Sequence, residues 1–183
     1  RQYYRRALEL QPKAAEAQEA VIETSPKEER RELWLAHAAS LGFSVYLCGG
    51  PGEREKELAA NIQAHAKHPI RNIPGLSSLK GLFALLGEAS LVLAPDTGPA
   101  HMAVAAGTPV IGLYAHSNPK RTGPYLWQEY VVDAYTSALK QMRGETPEQS
   151  RWGQRLKGAE LMENITTEQV IDMLDRCIQE QNL

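Results

Sequence analysis

The chain has 183 residues, 43% hydrophobic and 23% charged, with a formal net charge of −2, which is enough to bury one substantial core and a small appendage. This balance, without a sustained basic stripe, gives no electrostatic reason to expect nucleic acid as a partner, and no window approaches the ~20 apolar residues of a membrane span. Cys48 and Cys177 lie far apart, in neither a C-x-x-C pair nor a set with suitably spaced histidines, so neither a disulfide framework nor a structural zinc is expected.

Residues 1–19 are polar and Ala-rich and read as a linker or surface helix broken at Pro12. A strand-helix alternation follows. Ala20-Val21-Ile22 reads as a short strand, and Pro26 to Leu41 as a helix with proline in its first turn and Gly42 at its end. Phe43 to Cys48 is a strand whose cysteine reads as a small core hydrophobe, and Gly52 to Lys67 a helix. Ile70 to Ile73 is a minor strand, Ser78 to Ala89 a helix, Leu91 to Ala94 a strand, Thr97 to Ala106 a helix and Pro109 to Tyr114 a strand. Short β-branched runs separated by helices predict an α/β fold with a doubly wound, Rossmann-like parallel sheet.

After Ala115 the rhythm breaks into His116-Ser117-Asn118-Pro119-Lys120-Arg121-Thr122-Gly123-Pro124, a loop of turn formers at the carboxyl end of a strand. Ligands of open α/β sheets collect on that edge. Residues 135–160 are polar and poorly periodic, whereas Thr166 to Gln181 opens with a capping-box pattern and puts Val170, Met173, Leu174 and Cys177 on one face. The expected organisation is a linker over 1–19, a Rossmann-like domain over 20–165 and an amphipathic helix over 166–183. His37, His65 and His68 have no partners at metal-ligand spacing and read as structural or surface residues.

The sharpest local feature is the run Leu91 to His101, where an apolar strand ends at Asp96 and turns within two residues into a helix. The first N–H groups of such a helix lack intrahelical partners and sit at the positive end of its dipole, a ready anion site. Gly98 would let a phosphate approach the backbone. Pro99 fits the first turn, where a missing N–H costs little, and His101 points back to the same mouth. Ala100, Ala103, Ala105 and Ala106 would let this helix pack closely on the sheet. The plainer alternative makes Asp96 or Thr97 an N-cap and His101 a surface residue.

The run from Ala94 to Pro124, A-P-D-T-G-P-A-H-M-A-V-A-A-G-T-P-V-I-G-L-Y-A-H-S-N-P-K-R-T-G-P, resembles glycosyltransferase family 9, which contains the heptosyltransferases of lipopolysaccharide core synthesis. Gly49-Gly50-Pro51-Gly52-Glu53-Arg54-Glu55 and Gly75-Leu76-Ser77-Ser78-Leu79 fit the same pattern, so the resemblance spans roughly residues 20–180. It implies the carboxyl-terminal, donor-binding half of an inverting two-domain GT-B enzyme, moving heptose or a similar sugar from ADP-heptose or a related nucleotide diphosphate to a lipopolysaccharide core acceptor. With no apolar stretch behind the charged opening residues, the default setting is cytoplasmic, with peripheral attachment at the inner membrane as a variant.

By the same carry-over the Thr97 and Gly98 backbone holds the diphosphate, Asp96 engages sugar hydroxyls or organises the turn, and His101 lies beside the transferring sugar. Lys120 and Arg121 could stabilise the charge that builds on a departing nucleoside diphosphate, or be solvated. Glu53 could accept from ribose hydroxyls, or be a first-turn helix acid. Ser77 and Ser78 could line the base pocket, or cap the helix they precede. No D-x-D motif occurs, in keeping with GT-B enzymes that use protein cations rather than a metal, and no cofactor is expected.

Family members usually carry a longer loop after the first strand of this half, with a lysine that reaches the donor phosphates. Here the stretch is Glu23-Thr24-Ser25-Pro26-Lys27-Glu28-Glu29, which leaves Thr24, Ser25 and Lys27 as the candidates. The general base and most of the acceptor contacts are expected in an amino-terminal half outside these residues. Two alternatives share the fold: a GT-B-type nucleotide-sugar epimerase, and a noncatalytic nucleotide-sugar-binding or assembly module.

Overall fold

A computed structural model describes residues 19–23 and 28–183 apart from 67, 74, 76, 77 and 159. Six strands form one sheet: β1 (Glu19–Glu23), β2 (Ser44–Cys48), β3 (Ile70–Asn72), β4 (Leu91–Pro95), β5 (Val110–Tyr114) and β6 (Val131–Asp133). Their order is β3-β2-β1-β4-β5-β6, and every pairing is parallel, as in Val21 opposite both Tyr46 and Val92. The chain therefore moves outward from β1 in one direction and returns to continue from β4 in the other. This is the strand order of dinucleotide-binding sheets, whose ligands sit where the order reverses, beyond the carboxyl ends of the two central strands.

Parallel strands need crossovers, which the helices supply. These are α1 (Glu28–Ser40), α2 (Glu53–His65), α3 (Leu79–Glu88) and α4 (Gly98–Ala106), followed by the single turn α5 (Pro119–Thr122), α6 (Tyr135–Arg143) and α7 (Thr167–Gln181). Alternation along the strands divides the core into two layers. Val45, Leu47, Leu91 and Leu93 face Trp34, Leu35, Ile62, Tyr135, Leu139, Val170, Leu174 and Cys177 of α1, α2, α6 and α7. Tyr46, Cys48, Val92 and Ala94 face Leu86, Ala100 and Ala103 of α3 and α4. The doubly wound sheet is thus covered on both faces, as expected, and both cysteines are buried free thiols.

The capping box of α7 forms as its sequence requires: Thr166 Oγ1 accepts from the Gln169 amide at 3.3 Å, and Gln169 Oε1 accepts from the Thr166 amide at 3.0 Å. His37 ties α1 to α7 through Asp175, 2.6 Å away. On α4, Ala100 and Ala103 are buried, whereas Ala105 is exposed and takes no part in the packing.

Two segments depart from the reading of the sequence. The stretch after Ala115 is not entirely loop, because Asn118 caps a helical turn by accepting from the Lys120 amide at 3.0 Å. Gly123 closes this turn; a side chain there would stand 2.2 Å from the Pro119 carbonyl oxygen and 2.6 Å from Gln128 Nε2. Within 135–160, α6 is a regular helix that buries Tyr135, Ala138 and Leu139, and beyond it an irregular strap is bridged at Arg155 to Ser117 in the loop after β5. The linker reading of residues 1–18 lies outside the described residues.

Candidate functional site

The sheet leaves an opening at the carboxyl end of β4. Pro95 ends the strand, and Asp96 and Thr97 make the turn into α4. Thr97 sits at the N-cap in extended conformation, but its side chain makes no capping bond to the helix. A methyl group added at Gly98 would meet nothing within 4 Å, so the first turn of α4 has open space before it. A cleft of about 460 Å³, counting the part open to solvent, is lined by Pro95, Asp96, Thr97, Leu113, Ala115, His116, Ser117, Arg155 and Met162.

Asp96 is the hub, with its side chain 15% exposed. Its Oδ2 accepts from Ser117 Oγ at 2.6 Å, Thr122 Oγ1 at 3.3 Å and Arg155 Nη2 at 3.2 Å. Its other oxygen, Oδ1, has His101 Nε2 at 3.7 Å, so His101 does turn back to the mouth from one turn into α4. Beneath Asp96, the Tyr114 hydroxyl donates to the Thr122 carbonyl at 2.8 Å. Burial first, and then the Asp96 charge, push the Tyr114 phenol well above its ordinary pKa, so it serves as a neutral donor.

The structure thus brings Asp96, Thr97, Gly98 and His101 together. It does not bring the other described candidates to the cleft. Lys120 pairs with Glu148 at 3.1 Å. Arg121 lies over Trp152, its guanidinium carbon 5.3 Å from the ring centroid. Glu53 is exposed in the first turn of α2 and pairs with Lys56 at 2.8 Å, the first-turn acid alternative. Ser78 takes the capping role, accepting from the Gly81 amide at 3.1 Å. Thr24, Ser25, Lys27 and Ser77 lie outside the described residues.

The family model for glycosyltransferase family 9 (heptosyltransferase) matches residues 23–151. The chain belongs to that family. It is 40% identical, over 142 residues, to the lipopolysaccharide core heptosyltransferase OpsX of Haemophilus influenzae, a match covering 78% of this chain and 40% of that protein. Lipopolysaccharide heptosyltransferase 2 of Salmonella typhimurium is 27% identical over 107 residues, covering 57% of this chain and 31% of the relative. Among solved structures, a family 9 glycosyltransferase of Veillonella parvula superposes with a TM-score of 0.74 at 17% identity, over 98% of this chain and 52% of the other. Heptosyltransferase II of Escherichia coli does so with a TM-score of 0.69 at 16% identity, over 100% and 53%. The fold is therefore a Rossmann-like half of a GT-B glycosyltransferase, and this chain spans about half the length of such neighbours.

Three polar residues that line this cleft are not among the candidates named from the sequence: His116, Ser117 and Arg155. The first two stand in the loop after β5 that was singled out, and their place after a strand was a usable signal. Arg155 had none, since it is a lone cation in a polar, aperiodic stretch. It reaches the site because Ser117 and Arg155 form an antiparallel bridge and the Leu156 amide donates to the His116 carbonyl at 2.8 Å.

Proposed function

We propose that this chain is the donor-binding half of an inverting glycosyltransferase that moves heptose, or a similar sugar, from a nucleotide diphosphate of the ADP-heptose class to a lipopolysaccharide core acceptor. The observation that carries the reading is the open amino-terminus of α4, beside the Asp96 hub and over the carboxyl ends of β4 and β5. The first-turn N–H groups of a helix and its dipole favour an anion there, and a diphosphate is the anion a nucleotide sugar presents. The H. influenzae relative, a lipopolysaccharide core heptosyltransferase by name, supports the choice of sugar and acceptor.

In this reading the Thr97 and Gly98 backbone binds the diphosphate. Asp96 Oδ1, opposite the crowded Oδ2, accepts from a sugar hydroxyl, and His101 flanks the sugar. Thr24, Lys27 and Ser77 are further candidates for donor contacts, and residues 20–165 with the helix of 166–183 form the nucleotide-sugar-binding unit. In the transfer the acceptor oxygen forms the new bond to the anomeric carbon from the face opposite the leaving group. The electron pair of the broken bond stays on the terminal phosphate, and the acceptor proton passes to a base outside this half. The reaction belongs on the cytoplasmic side of the membrane.

Calorimetric titration of the intact protein with ADP, an ADP-sugar and a UDP-sugar tests this. Binding of ADP and the ADP-sugar is expected; a folded protein that binds no nucleoside diphosphate would overturn the reading. Turnover of the nucleotide sugar without any acceptor, followed by NMR of the sugar ring, would mark an epimerase instead.

A further inference from the structure

Among the described residues Arg155 is the cation that lines the cleft, and nothing in the family-like motifs points to it. Its backbone is held on both sides, by the bridge to Ser117 and by Leu156, which is 3% exposed. Its guanidinium reaches Asp96 Oδ2 at 3.2 Å while the side chain remains 61% exposed. A guanidinium carries five N–H donors in a planar fork that matches phosphate oxygens. Here one is on the Asp96 carboxylate, and the group lines the same cleft as Thr97.

Arg121, three residues into the N-P-K-R-T-G-P loop, acts on the strap that bears Arg155. Besides lying over Trp152, it packs against Gly153, where an added methyl carbon would come within 2.9 Å of Nη1. Gly153 has φ of +85°, so a side chain at that position would be strained as well as crowded. The loop and the strap are thus clasped two residues before Arg155.

We propose that Arg155 grips the diphosphate of the donor and of the departing nucleotide, and that Arg121 is a positioning residue that seats the strap through Trp152 and Gly153. The proposal rests on the nucleotide-sugar reading of the cleft. It assigns to Arg155 the charge-stabilising role that the sequence suggested for Arg121 and Lys120.

The test is titration of the intact protein and of its Arg155→Ala, Arg155→Lys and Arg121→Ala variants with ADP and with adenosine, folding being checked by circular dichroism. Arg155→Ala should weaken ADP about 10–100-fold, as loss of a charge-assisted phosphate contact does, and leave adenosine unchanged. Arg155→Lys should recover part of the loss, and Arg121→Ala should weaken ADP by a smaller factor. If Arg155→Ala binds ADP within about twofold of the parent, or loses adenosine and ADP equally, the proposal fails while the function stands. A parent protein that binds neither ligand takes both down.

Discussion

The Ser117 hydroxyl donates to Asp96 Oδ2 at 2.6 Å from a residue only 2% exposed, so the loop after β5 is fastened to the end of β4 before any ligand arrives. Ser117→Ala should cost about 1.5–3 kcal/mol, the usual worth of a hydrogen bond to a charged group. Urea denaturation would register this as a lower midpoint with unchanged slope. A midpoint equal to that of the parent would show that the bond contributes nothing.

Gly98 and Gly123 make a matched pair. An added methyl meets nothing at Gly98 but runs into the Pro119 carbonyl at Gly123. Gly123→Ala should therefore destabilise by about 1–3 kcal/mol through overpacking. Gly98→Ala should leave the melting temperature nearly unchanged and weaken ADP binding, because the space it fills is the space assigned to the diphosphate. Thermal melts and titrations of both variants separate the two effects; undiminished ADP affinity in Gly98→Ala would argue against a phosphate at α4.

The legible parts of the fold were those written in local periodicity. β2 and β4 were readable because β-branched or leucine-rich runs ended at turn formers, and α7 because Thr166 and Gln169 sit three apart ahead of an apolar stripe. β6 was not readable: Val131–Asp133 is three residues long and follows a short 3-10 turn, Gln128–Tyr130, rather than a full helix, so the strand-helix alternation does not announce it. In α6 the buried stripe Tyr135, Ala138 and Leu139 is so short that the polar residues around it mask the period. Of the cleft, the half that lies on the β4-to-α4 turn was visible, since strand, turn and helix terminus are contiguous. The half brought by Arg155 depends on a contact across 59 positions, which no local pattern encodes.

Capping should outweigh surface pairing at the carboxyl-terminal end of the chain. Thr166→Ala removes one side of the α7 capping box and should cost about 1 kcal/mol. Lys120→Ala breaks an ion pair between two exposed side chains and should leave the melting temperature unmoved. Calorimetric melts of the two variants should differ accordingly.

Alkaline pH should destabilise the protein from within. Burial pushes the Cys177 thiol up to about 12, against about 8.5 for a free cysteine, and burial also raises the Tyr114 phenol. The folded state keeps both protons where the unfolded chain releases them. The stabilisation is thus whole below about pH 8.5 and declines as pH rises, at about 1.4 kcal/mol per unit for Cys177 until its folded pKa is reached. Urea midpoints measured between pH 8 and 11 should fall, and Cys177→Ser should flatten the decline.

The bridge between Ser117 and Arg155 sets an order on the emergence of the binding site during synthesis. A nascent chain released as far as Asp133 already holds every strand of the sheet, and could bury much of its interior, yet its anion cleft would lack a wall and its guanidinium. Assembly of the scaffold and completion of its chemistry are separated by some twenty residues of translation, so early folding proceeds with the charged pocket still unfinished.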